Sequence, residues 1–208
     1  MKKVLLASVI AMLTVVSANA AVSPYVSLHA GFTRPTHYFS VREKWDYNLI
    51  EGLSDDFAYD VSGAVGVKYD ISSMFDVRGE LEYDFVDGFV VAKRNIVGPN
   101  EVWQRSHTLL LNAYVDLKNN TPFTPYISGG IGCQWNHISS DAVFYDGTEY
   151  HSMAYQVGTG FAYNMTDNLS LDFGYRYLWS TFAFKNASDH YHLMNSYHQF
   201  RLGAIYVF

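Results

Sequence analysis

The stretch Phe200-Arg-Leu-Gly-Ala-Ile-Tyr-Val-Phe208 alternates strictly between two kinds of side chain. Successive residues of a β-strand point to opposite faces, so every second side chain shares a face. One face carries only apolar side chains, those of Phe200, Leu202, Ala204, Tyr206 and Phe208. The opposite face includes the charged side chain of Arg201. The stretch therefore predicts an amphipathic strand that closes on an aromatic residue.

The same alternation recurs upstream, in segments separated by polar residues. We predict strands at residues 24–34, 58–69, 76–86, 105–116, 124–136, 152–163, 169–180 and from 197 onward. Short connections at 70–75, 117–123 and 164–168 alternate with longer ones at 35–57, 87–104, 138–151 and 181–196. Short turns alternating with long loops are typical of transmembrane barrels. The predicted fold is all-β, an eight-stranded antiparallel up-and-down transmembrane β-barrel.

Composition supports a membrane location and argues against some partners. Aromatic residues make up 17% of the chain and charged residues only 16%, whereas a soluble domain usually has about 25% charged residues. The formal net charge of −6 makes nucleic acid an improbable partner. Cys133 is the only cysteine, which excludes an intrachain disulfide, and its apolar strand pattern predicts a buried or lipid-facing side chain.

The first 20 residues predict a cleavable signal peptide. Lys2 and Lys3 precede an apolar run from Val4 to Val16, and the small residues of Ala18-Asn19-Ala20 suit a signal peptidase. The apolar run is too short to span a membrane comfortably as a helix. We therefore assign residues 1–20 to the signal peptide and residues 21–208 to a single barrel domain.

Two hairpins repeat one pattern and lead to a family resemblance. Gly66-Val-Lys-Tyr69 and Gly160-Phe-Ala-Tyr163 each precede a polar turn and a returning strand. Together with the segments 125–132 and 172–177 and the terminal Phe208, they make the chain similar to the small eight-stranded outer-membrane barrels. That superfamily includes the opacity proteins and the membrane domain of outer membrane protein A. The resemblance implies a location in the Gram-negative outer membrane.

The alternation also assigns charged side chains to the barrel interior. We predict a lumenal ion-pair network built from Glu80, Glu82, Arg176 and Arg201, at similar mid-barrel heights. A register slip of one residue would place the arginines in lipid, at about 2–4 kcal/mol each near the midplane. The network either plugs and rigidifies the barrel or gates a narrow pore, as the resemblance implies for related barrels.

Other polar and aromatic residues concentrate near the predicted membrane boundaries. We expect an aromatic girdle of Trp103, Trp135, Trp179 and Phe208. The pair His190 and His192 suggests a metal or pH-sensitive site. The alternative is that the outer end of the barrel simply accepts amphipathic rings, which have one apolar and one hydrated side. We therefore predict no metal site and no cofactor.

A hydrolase is the enzymatic alternative. His137 and Ser139 form a His-x-Ser pair at the outer end of the fifth predicted strand, with Asp141, Asp146 and Glu149 downstream. A serine nucleophile needs a base within hydrogen-bond reach and an acid that orients the base. Some eight-stranded barrels use such a pair on lipid A acyl chains, but the surrounding residues here do not match their motif. We therefore predict no catalytic residues.

The sequence thus favours a non-enzymatic barrel that displays loops for adhesion, recognition or envelope integrity. The first loop, at 35–57, is the longest and is rich in aromatic residues, and exposed loops on a rigid scaffold commonly carry recognition. The expected partners are outer-membrane lipid and lipopolysaccharide, a host surface ligand, and the barrel-assembly machinery through the strand ending at Phe208. An even number of strands places both chain ends in the periplasm.

Overall fold

The computed structural model of the protein describes residues 22–35, 57–94, 100–140, 148–184 and 195–208. The predicted signal peptide, most of the first loop, Asp141, Asp146 and the pair His190 and His192 lie outside the described residues. Within the described segments no helix is long and apolar enough to cross a bilayer.

Eight antiparallel strands form a closed barrel in which each strand pairs with its neighbours in sequence and β8 pairs with β1. The strands are β1 (Val22–Pro35), β2 (Ala58–Asp70), β3 (Phe75–Arg94), β4 (Asn100–Leu117), β5 (Phe123–Ser140), β6 (Thr148–Asn164), β7 (Leu169–Phe184) and β8 (Asn195–Val207). The predicted all-β, eight-stranded fold is confirmed.

Several strands are longer at one end than the alternation predicted. β3 continues to Arg94 and β4 begins at Asn100, so most of the predicted 87–104 loop is strand. The predicted loops at 138–151 and 181–196 are shortened in the same way. The pairing of β3 with β4 shifts register between Val86 and Phe89 and again between Val90 and Ala92. Such irregularities break the period of two, so the alternation does not predict strand there.

The two faces of the sheet show that the barrel is apolar outside and polar inside. Large apolar side chains on the outer face are exposed, among them Leu28, Val61, Leu111 and Ile127. Most of the charged side chains that point inward are buried, namely Asp60, Asp76, Arg78, Glu80, Glu82, Asp84, Asp116, Asp172, Arg176 and Arg201. A continuous apolar exterior is costly in water and favourable in lipid, so this surface contacts the membrane.

Three tight turns lie at one end of the barrel, here called the turn end, and each is closed by a side-chain acceptor. Ser72 Oγ accepts from the backbone N–H groups of Met74 and Phe75, and Asn119 and Thr166 play the same role in the other turns. Short polar side chains stabilise turns in this way. Hydrogen bonds from Lys118 to Asp70 and Asp76 tie two turns together and raise the pKa of Lys118.

The barrel is completed by the pairing of β8 with β1, whose register runs from Tyr25 opposite Val207 to Pro35 opposite Tyr197. The backbone N–H of Phe208 donates to the carbonyl of Pro24 over 3.0 Å. Val22 and Phe208 therefore both lie at the turn end. The opposite end, where the connections fall outside the described residues, is here called the loop end.

Replacing Leu111 by arginine should destabilise the barrel strongly, because Leu111 lies in the apolar band and is 62% exposed to its surroundings. We expect a loss of about 2–4 kcal/mol near the midplane but only about 0–1 kcal/mol for Leu117→Arg at the turn end of the same strand. Denaturant unfolding in phospholipid vesicles measures both values. Equal losses would contradict the placement of the membrane band.

Candidate functional site: the packed lumen and the wall at the loop end

Glu82 on β3 is the centre of the buried interior. Its carboxylate accepts from the Arg176 guanidinium of β7 over 2.8 Å and from the Arg201 guanidinium of β8. Asn112 on β4 donates a further hydrogen bond to Glu82 over 2.7 Å. Because these contacts join four strands, they lock one side of the barrel wall to the other. Three of the four predicted network residues therefore meet in the structure.

Arg176 extends this cluster toward the loop end. Its second terminal amino group lies 3.0 Å from Asp84, and its Nε donates to the side-chain carbonyl of Gln199. The Gln199 amide in turn donates to Thr33 on β1 over 2.9 Å. Thr33 then donates to Asp60 on β2, also over 2.9 Å. The cluster thus also includes side chains of β1 and β2.

Glu80 lies close to Glu82 but has a different kind of environment. Its carboxylate accepts from the hydroxyls of Tyr25 and Tyr114, over 2.8 and 2.6 Å, and from the Asn112 amide over 3.1 Å. Among the described residues it forms no ion pair with an arginine. Neutral donors thus solvate this carboxylate, whereas cations surround Glu82.

Arg78 forms a separate ion pair nearer the turn end. It makes a bidentate contact with Asp116 on β4, with nitrogen–oxygen distances of 2.7 and 2.8 Å. The rings of Tyr114 and Tyr126 lie 4.3 and 5.1 Å from its guanidinium carbon, within cation–π range. The alternation places Arg78 and Asp116 at inward positions on neighbouring strands, but it does not by itself pair them.

A third buried pair joins His29 on β1 to Asp172 on β7, with 2.9 Å between the imidazole Nε2 and the carboxylate. Tyr126 also donates to Asp172, over 3.0 Å. Gly203 on β8 makes this possible, since a Cβ at that position would overlap the His29 ring. Gly130 similarly leaves the room that the Asn112 side chain takes up. Small residues on some strands thus accommodate long side chains from others.

The predicted aromatic residues divide between the two ends of the barrel. Trp135 and Trp179 lie on the outer face at the loop end, and Trp179 stacks with Tyr155 and Tyr177. Phe208 lies at the turn end, where its ring packs edge-on against Tyr206. Trp103 belongs to β4 and pairs with Val90 and Ser139 through the backbone, but its side chain is outside the described part.

His137 and Ser139 of the hydrolase alternative lie on β5 at the loop end, and Glu149 lies on β6. The His137 Nδ1 is 3.7 Å from a Glu149 carboxylate oxygen, and both side chains are exposed. The side chain of Ser139 lies outside the described part of the chain. Among the described residues, no group of three His, Cys, Asp or Glu side chains could hold a metal ion.

The fold and its surfaces define an integral membrane β-barrel, and sequence comparison assigns the family. Residues 4–208 match the outer membrane protein beta-barrel domain, so the chain belongs to this family of Gram-negative outer-membrane proteins.

Curated relatives share moderate identity. An uncharacterised protein of Brucella melitensis is 32% identical over 178 residues, which cover 65% of this chain and 61% of the relative. Outer membrane protein PagN of Salmonella typhimurium is 30% identical over 135 residues, 56% of each chain. The chain thus spans less than two thirds of the length of the curated relatives it matches.

Solved structures share the fold. Neisserial surface protein A superposes with a TM-score of 0.53, covering 89% of this chain and 97% of that one at 17% identity. At this level of identity the likeness concerns the fold alone.

Removing the charge of Glu82 should cost much more stability than removing that of Glu80. Glu82→Gln leaves the buried Arg201 guanidinium without a carboxylate and leaves Arg176 with Asp84 alone, and breaking a buried pair costs about 3–5 kcal/mol. Glu80→Gln loses hydrogen bonds from neutral donors, at about 1–3 kcal/mol. Denaturant unfolding in vesicles compares the two variants. A larger loss for Glu80→Gln would contradict the assignment of Glu82 as the centre.

Proposed function

We propose that this protein is a non-enzymatic scaffold of the outer membrane that displays its loop-end segments for recognition outside the cell. The observation that carries the proposal is the side-chain packing of the lumen. At mid-barrel height, buried contacts run from Glu82 to β4, β7 and β8 and through Gln199 to β1. Eight strands leave an interior only wide enough for side chains, so the barrel acts as a rigid support.

The turn end is proposed to face the periplasm. Transmembrane barrels of this class have short periplasmic turns and longer extracellular connections, and the three tight turns lie beside Val22 and Phe208. This orientation places both chain ends in the periplasm. It also leaves the β8 strand and Phe208 where the barrel-assembly machinery would engage them during insertion.

Recognition is assigned to the segment at 36–56, which is the longest connection between strands. It contains Tyr38, Phe39, Trp45 and Tyr47, and tyrosine and tryptophan often dominate binding energy at protein surfaces. A host surface molecule or lipopolysaccharide would be the partner. Support of envelope integrity is the more general form of the same role.

A narrow channel is the second candidate, favoured by the charged character of the lumen. An ion pair such as that of Arg176 with Glu82 could open and close a path for ions. The number of strands bridged by the cluster favours the plugged barrel, because opening would require several buried hydrogen bonds to break together.

Changing Tyr38, Phe39, Trp45 and Tyr47 together to serine should reduce adhesion of expressing cells to host cells at least about tenfold, as expected when a hot spot is lost. The matched control changes Arg42, Glu43 and Lys44 to serine in the same segment. An epitope tag within 141–147, labelled on intact cells, reports display and orientation. Undiminished adhesion at equal display would overturn the assignment of the first loop.

In planar bilayers the wild-type protein should give no stepwise conductance, since the lumen is filled by bonded side chains. Glu82→Ala should lower the unfolding temperature without adding conductance steps, because Arg176 and Arg201 still occupy the lumen. A general porin in the same membranes provides the positive control. Conductance that rises in Glu82→Ala while the unfolding temperature stays unchanged would favour the channel.

A further inference from the structure

The outer wall at the loop end carries two cross-strand rows of polar and aromatic side chains. The upper row runs across β4, β5 and β6 as Arg105, His137 and Glu149, and the lower row as His107, Trp135 and His151. All six occupy outward positions, and direct cross-strand neighbours have Cβ atoms about 5 Å apart. The rows therefore form one continuous patch, here called the wall patch.

The wall patch lies at the boundary of the apolar band. The next outward row toward the turn end consists of Leu109, Cys133 and Met153, followed by Leu111, Ile131 and Tyr155. On β5 the outward positions from Phe123 to Cys133 are apolar or glycine, a length of about 33 Å along a strand. With the usual strand tilt this matches an apolar band of about 25 Å. Trp135 and His137 therefore lie at the level of lipid headgroups.

The patch is concave and combines an aromatic ring with hydrogen-bonding groups. All six side chains, with Asn136, line a groove of about 400 Å³. Trp135 is 39% exposed in it. Arg105 donates through Nε to Asp87 over 3.0 Å, a contact that uses one of its three guanidinium nitrogens. The His107 Nδ1 is 2.6 Å from the Tyr83 hydroxyl, which holds that ring in place.

The charges in and around the patch are mixed. Asp87 neutralises Arg105, and Glu149 faces His137, with the carboxylate side chains 57% and 74% exposed. The patch thus has no excess of fixed positive charge, so a phosphate would gain little net Coulomb energy at this exposure. Since no three metal-ligating side chains converge among the described residues, a metal ion is also a poor fit.

A sugar fits these features better than an anion or a metal ion. A saccharide has hydroxyls that both donate and accept, which suits guanidinium, imidazole and carboxylate groups side by side. Its C–H faces pack against an aromatic ring such as Trp135. A simple interfacial girdle would need the ring but not the polar groups around it, as at Trp179, where the ring neighbours are Tyr155 and Tyr177.

We propose that the wall patch binds the sugar headgroup of an outer-leaflet glycolipid, with its acyl chains against the apolar band below. The assignment to the outer leaflet rests on the orientation proposed above. The binding itself is independent of what the loops recognise.

Native mass spectrometry of the full chain in detergent tests this proposal with three lipids: bisphosphorylated lipid A, its fully dephosphorylated form, and phosphatidylglycerol. Wild type should retain both lipid A forms to within about threefold of each other and phosphatidylglycerol at least about tenfold less. Arg105→Ala and Glu149→Ala should each lower retention of dephosphorylated lipid A about fivefold, as for loss of one hydrogen bond. Both side chains are exposed, so these variants should fold.

Trp135→Leu and Trp179→Leu form the matched pair for the aromatic contribution. Trp135→Leu should reduce retention at least about fivefold and Trp179→Leu less than about twofold, because Trp135 lines the groove beside Arg105 and Glu149 and Trp179 does not. Equal reductions would show a general girdle effect and overturn the proposal. Binding lost on dephosphorylation would also overturn it and indicate a phosphate site. Normal retention in detergent combined with an inaccessible tag on intact cells would refute the orientation but not the patch.

Discussion

The pairing of β8 with β1 is the constraint on which the rest of the molecule depends. In lipid, a backbone N–H or C=O without a partner costs several kcal/mol, so only a sheet without edges is stable there. The β1–β8 register provides that closure and simultaneously sets the faces, since Gly31 lies opposite Arg201 and Phe32 opposite Phe200. A slip of one residue would turn Arg201 toward lipid. The register that closes the barrel therefore also determines which side chains face the lumen and which face lipid.

The charged side chains that point inward are out of contact with bulk water. They therefore need counter-charges or hydrogen-bond partners from the protein itself. Buried carboxylates outnumber guanidiniums in the lumen. The carboxylates are therefore compensated in two different ways. Glu82 and Asp116 are paired with arginines. Glu80 and Asp172 instead accept from tyrosines, with help from Asn112 and His29. Because a broken buried pair is far more costly than an intact one is stabilising, this arrangement selects one packing of the interior.

An interior crossed by buried side-chain contacts separates the roles of the wall and the ends. The lumen holds the strands at fixed positions, so the loop end can vary in sequence without disturbing the barrel, as loops on rigid scaffolds generally do. The wall patch extends this division to the outer surface, where Trp135 and Arg105 lie on strands and not on loops. Side chains held by strands keep their spacing, which suits recognition of a small headgroup.

The sequence by itself determined the number of strands, the two faces of each strand where the alternation is regular, and the turns, because a period of two and short polar turns are local properties. It failed at the loop ends of β3 and β4, where register shifts interrupt the alternation. It placed Glu80, Glu82, Arg176 and Arg201 on the inward faces, but the partners were decided only by the tertiary structure. Glu80 meets Tyr25, 55 residues away, and Arg176 meets Glu82, 94 residues away. The wall patch likewise joins β4, β5 and β6. Such contacts depend on strand stagger and on the space left by glycines across the lumen, and neither is encoded in the alternation of any single strand.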